Sequence, residues 1–237
     1  MGIPDGGLIS ARIAWDEVED AGRFPFSVPA IRETASLDLS APVTFFVGEN
    51  GSGKSTLLEA IVIAAGVNPE GGTRNLRFSN RSTESSLHEH LELRWRTRQR
   101  WAFFLRAETF FDMASAYETA DEGGFHERSH GQQFIHAANE KLQPGGLHLM
   151  DEPEAALSVT GQLAMLRRIH DVQAADGQFI IATHSPILLA YPGAVIYEFA
   201  DSGINRVTYE QAQPVTLTKG FLDAPERFFA HLFDDSD

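Results

Sequence analysis

Apolar residues along this chain follow two rhythms. Short runs rich in β-branched and aromatic residues, at 8–15, 43–47, 91–98, 101–106, 147–150, 179–182 and 194–199, have the length and composition of strands. Between them, longer segments at 56–67, 129–141, 159–175, 187–190 and 225–233 space their apolar residues as helices do. Strands alternating with helices predict an α/β fold. Residues 68–80 form a loop rich in Gly, Asn and Arg, and 118–127 is acidic and contains glycine. No repeat or heptad is visible, and Asp234-Asp235-Ser236-Asp237 reads as a frayed acidic end.

The predicted strand at 43–47 runs into Gly48-Glu49-Asn50-Gly51-Ser52-Gly53-Lys54-Ser55-Thr56, which meets the G-x-x-x-x-G-K-[ST] phosphate-loop pattern in full. A loop of this kind turns backbone N–H groups onto phosphate oxygens. Lys54 then reaches the β and γ phosphates, and the Ser55 hydroxyl is offered to Mg²⁺. The helix beginning at Thr56 adds a favourable dipole for the anion. Gly48, Asn50, Gly51, Ser52, Gly53, Lys54, Ser55 and Thr56 are therefore expected to bind a nucleoside triphosphate. A hydrolytic site also needs a carboxylate for the metal and a group acting on water. The apolar strand 147–150 ends in Asp151-Glu152, which supplies both: Asp151 for Mg²⁺ and Glu152 for the attacking water.

Taken together, these motifs resemble the ABC-type ATPase family. Asp151-Glu152-Pro153-Glu154-Ala155-Ala156-Leu157-Ser158 resembles its Walker B and D-loop, and Ala182-Thr183-His184-Ser185 its switch-histidine segment. Ser129-His130-Gly131-Gln132-Gln133, about twenty residues before Walker B, stands where the family places its LSGGQ signature. The resemblance covers roughly residues 8–199. It implies ATP and Mg²⁺ as ligands, a P-loop NTPase fold with a mainly parallel core sheet, an antiparallel β subdomain and a reduced helical subdomain. It also implies a homodimer in which Ser129, Gly131 and Gln132 bind the nucleotide held by the opposite copy, while His184 senses the γ-phosphate. On this basis residues 1–237 form one ATPase domain: 8–67 and 147–210 as core, 68–146 as an inserted arm and signature lobe, and 211–237 as a helical tail. The chain departs from the family pattern in two places. His130 replaces a signature glycine, and the strand-end position usually held by glutamine falls on Glu108, which would reach Mg²⁺ through water. Either Phe24 or Phe26 stacks on adenine, or both belong to the core.

Only about twenty residues separate Glu108 from Ser129, too few for a coiled coil and few for a transporter's helical subdomain. Together with the phosphate loop, Asp151 to Ser158 and Ala182 to Ser185, this resembles the compact, stand-alone bacterial ABC-type ATPases near the RecF and SMC-like branch. An ATPase working on a nucleic-acid or protein partner comes first, a transporter's ATP-binding subunit second, and a nucleotide-gated module with little turnover third.

Composition narrows the partners. A formal net charge of −14 over 237 residues argues against a protein that coats nucleic acid or anionic membrane, since such binding comes from Lys and Arg. One basic strip stands out: Arg94, Arg96, Arg98 and Arg100 on alternate positions, which a strand would place on one face, either as a nucleic-acid contact or as a solvated hairpin face. Arg74 and Arg77 sit in a loop and invite the same two interpretations. The absence of cysteine excludes disulfides and thiolate metal sites. No apolar run approaches membrane-spanning length, and Asp5, Arg12 and Asp16 interrupt any signal-peptide pattern, so a cytoplasmic location is expected and a membrane partner is disfavoured. His126-Glu127-Arg128-Ser129-His130 matches H-E-x-x-H, but its second histidine lies within the signature and Gly123-Gly124 precedes it, so zinc is rejected. His88-x-His90 reads as a solvated strand pair, and the Asn80-Arg81-Ser82 sequon as irrelevant in the cytosol.

Overall fold

The computed structural model describes residues 6–69, 71–73, 85–108 and 130–233. Its centre is a seven-stranded sheet. Within it, β3 (Val43–Gly48), β6 (Ala102–Arg106), β7 (Leu147–Asp151), β8 (Gln178–Ala182) and β9 (Val195–Ala200) run parallel, in the spatial order β9-β3-β8-β7-β6. Antiparallel β10 (Gly203–Val207) and β4 (Gly72–Thr73) extend the two edges. Every residue of β3, β7 and β8 is buried, as expected of parallel strands covered on both faces.

Because successive side chains of a strand point to opposite faces, this sheet supports two cores. Phe46, Leu149, Ile180 and Ala182 face helix α2 (Lys54–Ala64) and a second, antiparallel sheet of order β2-β1-β5, formed by Ser36–Asp38, Gly7–Ile13 and Leu91–Thr97. Short helix α1 (Pro29–Arg32) contributes Ala30 and Ile31 to this side. Phe45, Val47, Met150 and Ile181 face the other way, towards α3 (His130–Lys141), α4 (Val159–Gln173) and α5 (Pro186–Leu189). Two further helices, α6 (Gln213–Asp223) and α7 (Pro225–Leu232), close the described chain. The fold is thus the α/β, P-loop type with a mainly parallel sheet and a separate antiparallel one.

Gln178 joins the two sheets. Its amide nitrogen donates to the carbonyls of Leu8 (2.8 Å) and Leu39 (2.6 Å), and its oxygen accepts from the Leu8 N–H (2.7 Å). Gly7, at φ 131°, leaves room for it, since a Cβ there would lie 2.6 Å from the Gln178 oxygen.

Three local expectations are corrected. Segments 91–98 and 101–106 do not form a hairpin: β5 lies in the antiparallel sheet and β6 in the parallel one. The arginine strip breaks up accordingly. Arg94 and Arg96 lie on β5 and are exposed, near the Arg12–Glu92 ion pair (2.8 Å), so the surface carries both signs of charge. Arg98 instead donates to the Ala65 carbonyl at the end of α2 (3.0 Å), where a cation complements the helix dipole. His88 and His90 occupy a 3₁₀ turn, Ser86–His90, rather than a strand, and His90 packs edge-on against Phe26.

Candidate functional site

The parallel strands bring the motifs to one end of the sheet. β3 ends at Gly48 and turns into the phosphate loop, whose glycines Gly48, Gly51 and Gly53 have φ of 145°, 79° and 100°. Only glycine adopts these angles without strain. A Cβ on Gly48 would also lie 2.7 Å from the Phe199 carbonyl, and one on Gly53 3.0 Å from Val28, so the loop is pressed against its neighbours. α2 starts at Lys54, two residues earlier than the periodicity suggests. The buried Lys54 ammonium folds back onto the loop, donating to the carbonyls of Gly48 (2.8 Å) and Glu49 (2.9 Å). Burial lowers its pKa, against the opposing pull of Glu152, Asp151 and Glu154. Ser52 Oγ is buried without a partner inside the loop.

On the adjacent strands, the Ser55 hydroxyl donates to Asp151 Oδ1 at 3.0 Å, joining the loop to the end of β7 across 96 residues of sequence. Glu152 follows in a left-handed conformation (φ 46°, ψ 52°), unusual for a residue with a side chain, and its N–H donates to Ala182 O at the end of β8 (2.9 Å). The turn lays Glu152 Oε1 3.5 Å from His184 Nε2. Burial and the neighbouring Lys54 lower the His184 pKa, opposed by Glu152 and Asp151. Burial raises that of Asp151, opposed first by Arg106. Lys54, Ser55, Asp151, Glu152 and His184 therefore come from three neighbouring strand ends and face one space. A magnesium-bound triphosphate suits this donor set: loop N–H groups, an ammonium, a hydroxyl and a carboxylate oxygen 3.0 Å apart, and an orphaned loop hydroxyl.

Other expected residues are placed differently. Gly131 and Gln132 begin α3, where a Cβ on Gly131 would lie 3.2 Å from the Ala156 carbonyl. The groove they line runs along Ala156, Leu157 and Gly161, and the phosphate-loop residues do not line it. Asn50 and Gly51 line a separate cleft with Pro29, Glu198 and Asp201. Glu108 carries an exposed side chain 4.0 Å from Arg106. Phe26 is buried against Trp15 and His90, which removes it as an adenine platform, whereas Phe24 is exposed. Ser129, Arg74, Arg77, the sequon and His126 to Ser129 of the H-E-x-x-H match lie outside the described residues.

Three further residues contact the candidate site: Arg106 and Gln213 lie outside the motifs, and Glu154 lies inside one without a role assigned to it. Arg106 ends β6 directly opposite Asp151, with Nε 3.4 Å from Asp151 Oδ2. A lone charge closing the apolar run Ala102 to Leu105 was the available signal. Glu154 buries its carboxylate, accepting the His184 main-chain N–H and the Thr183 hydroxyl, while its second oxygen has no partner. Gln213, at the start of α6, donates to Glu49 Oε1 in the phosphate loop (2.8 Å), and nothing local in the sequence announces it.

Residues 26–111 match the family model described as an AAA domain. That stretch contains the phosphate loop. No curated protein matches the chain. Among solved structures, the chain is similar to a nucleotide-free ATP-binding cassette from an ABC transporter (17% identity, 93% of this chain and 97% of that chain, TM-score 0.48). It is also similar to the SMC head domain from Thermotoga maritima (14% identity, 85% and 98%, TM-score 0.47). A third is the dimeric post-hydrolysis state of an ATP-binding cassette bound to ADP and Pi (14% identity, 75% and 90%, TM-score 0.38).

Proposed function

We propose that this protein is a magnesium-dependent ATPase that works as an ATP-sandwiched homodimer. The observation that carries the proposal is the convergence of Lys54, the Ser55–Asp151 pair and the Glu152–His184 pair at three adjacent strand ends. Gly48 to Thr56 cradle the phosphates with loop N–H groups. Lys54 leaves two carbonyls for the β and γ phosphates, a move that keeps its charge compensated throughout. Ser55 and Asp151 would hold Mg²⁺, and Glu108 would reach it through water. When bound, the metal would supply neutralisation of the phosphate charge. Glu152, 3.5 Å from His184, takes a proton from the attacking water, and His184 donates a hydrogen bond to the γ-phosphate.

Ser129, Gly131 and Gln132 complete the site from the opposite copy. Gly131 packing on Ala156, away from Lys54, supports that division, because a signature acting within its own chain would need to face the loop. ATP thus closes the dimer and hydrolysis reopens it, a population shift driven by contacts to the γ-phosphate. The short stretch between Glu108 and Ser129 favours a protein or nucleic-acid partner over a membrane one.

The test pairs two variants. Lys54→Ala abolishes ATP turnover, and unchanged turnover would remove this site from the account. Glu152→Gln retains ATP and accumulates a dimer by light scattering, and a monomer at saturating Mg·ATP sinks the sandwich. Assays with and without DNA or RNA then separate a nucleic-acid partner from a protein one.

A further inference from the structure

Arg106 stands where the magnesium carboxylate would otherwise be uncompensated. Asp151 is almost fully enclosed, with 7% of its side chain exposed, and a buried carboxylate without a counter-charge is strongly unfavourable. One of its oxygens accepts from Ser55 at 3.0 Å, and the other lies 3.4 Å from Arg106 Nε. The nearest ammonium, Lys54, is committed to the carbonyls of Gly48 and Glu49. Arg106 does not depend on Asp151 alone. Its Nη1 lies 3.4 Å from Glu59 Oε2 on α2, and its Nε 4.0 Å from Glu108 Oε2. The guanidinium is a permanent charge with several donors, so it can release one carboxylate while keeping another.

We propose that Arg106 is the resident counter-cation of Asp151, holding the magnesium carboxylate in the nucleotide-free protein so that the metal is admitted only together with the nucleotide. The proposal rests on the assignment of Asp151 to the metal in the ATPase reading. A free Mg²⁺ approaching Asp151 meets an existing positive charge at contact distance. The triphosphate brings several negative charges to the same space and reverses that balance. Asp151 then turns to the metal, and Arg106 stays paired with Glu59 and Glu108. Arg106 is thus a positioning residue that sets the order of binding.

The experiment is thermal unfolding of the nucleotide-free protein during MgCl₂ titration at constant ionic strength, for wild type, Arg106→Gln and Arg106→Gln/Asp151→Asn. Wild type shows no Mg²⁺-dependent rise in midpoint. Arg106→Gln unfolds at lower temperature without metal and gains about 3 to 5 °C once Mg²⁺ reaches about tenfold excess over its dissociation constant. The added Asp151→Asn change abolishes that gain. An Arg106→Gln protein as indifferent to Mg²⁺ as wild type overturns the proposal. Should the variant not fold, calorimetry on wild type decides: Mg²⁺ alone binding below about millimolar concentration overturns it, and binding seen only with a non-hydrolysable ATP analogue supports it. ATP binding by wild type, measured in parallel, reports on the ATPase reading separately, because the metal-only titrations contain no nucleotide.

Discussion

Glu154 shows how one carboxylate can govern a site without touching the reacting atoms. It holds the main chain at His184 and the hydroxyl of Thr183, and so sets where the imidazole stands relative to Glu152, 3.5 Å away. Removing the acceptor frees the histidine segment but leaves the phosphate loop intact. Glu154→Ala is therefore expected to lower kcat about 10- to 100-fold with ATP affinity unchanged within about twofold, because the lost interaction acts on the transition state rather than on nucleotide binding. Burial already raises the Glu154 pKa, and an amide oxygen accepts the same N–H, so Glu154→Gln restores most of the rate. Equal losses in both variants would show that charge, not positioning, is what Glu154 supplies. His148 poses a different problem at the same scale. It is enclosed in β7, tilted against the Phe179 ring (centroids 5.0 Å apart) and bonded through Nε2 to the Gln143 carbonyl (2.8 Å), and burial lowers its pKa from 6.5 to about 4. The folded protein thus holds it neutral where the unfolded chain is protonated. Stability is full above the unfolded value of 6.5, falls as acidification protonates the unfolded chain, and levels off below about 4. Between about pH 7 and pH 5 this amounts to a loss of about 2 kcal/mol. Denaturant titrations at the two pH values read it directly, and His148→Phe should flatten the slope; an unchanged slope assigns the effect to another group.

Among the elements, those built on continuous apolar runs were legible and those built on tertiary contacts were not. β3, β7 and β8 announce themselves because a strand buried on both faces must be apolar at every position. β10 lies exposed at one edge of the sheet, and β2 is only three residues long, so neither carries a strong pattern; pairing with β9 and β1 makes them strands. The false hairpin at 91–106 arose because two adjacent β-prone runs look the same whether they pair with each other or diverge. Here Gln99 is buried between them, and Trp101 is tied by its indole N–H to the Lys141 carbonyl (2.9 Å). In the candidate site, Lys54, Ser55 and Asp151 stand out in the sequence because the phosphate-loop pattern and the acidic strand end mark them locally. Arg106 and Gln213 do not, because their partners lie 45 and 164 residues away and only the fold brings them together. Gln178 belongs to this second group, and its effect can be measured. Gln178→Leu leaves the Leu8 N–H and the carbonyls of Leu8 and Leu39 without this partner, a cost of at least about 3 kcal/mol at roughly 1 to 3 kcal/mol per buried group. Denaturant unfolding of this variant should show that loss, and a change below about 1 kcal/mol would mean that the antiparallel sheet is held mainly by the apolar layer around α2.

At the scale of the molecule, net charge and the proposed dimer oppose one another. Each copy carries a formal charge of −14, so closing two copies on two nucleotides brings two strongly negative molecules together. Screening shortens the reach of that repulsion to about 10 Å at ~0.1 M salt and about 3 Å at ~1 M. If the closed state is held by phosphate contacts and packing, added salt should tighten it: Glu152→Gln with Mg·ATP is expected to dimerise several-fold more strongly at ~0.5 M than at ~0.05 M NaCl by sedimentation or light scattering. Weakening over the same range would mean that ion pairs dominate the interface. Apolar self-association also strengthens with salt, and the C-terminal hairpin offers a route to it. α6 and α7 leave Leu217, Leu222, Phe229, Leu232 and Phe233 exposed, with Phe229 stacked on Phe233 at 5.3 Å. Such association would not require nucleotide, so each salt concentration is measured with and without ATP. Dimer gained only with ATP belongs to the sandwich, and dimer gained equally without it belongs to the aromatic face. Since Gln213 at the head of α6 is bonded to Glu49 in the phosphate loop, the comparison also shows whether loading that loop changes how the hairpin associates.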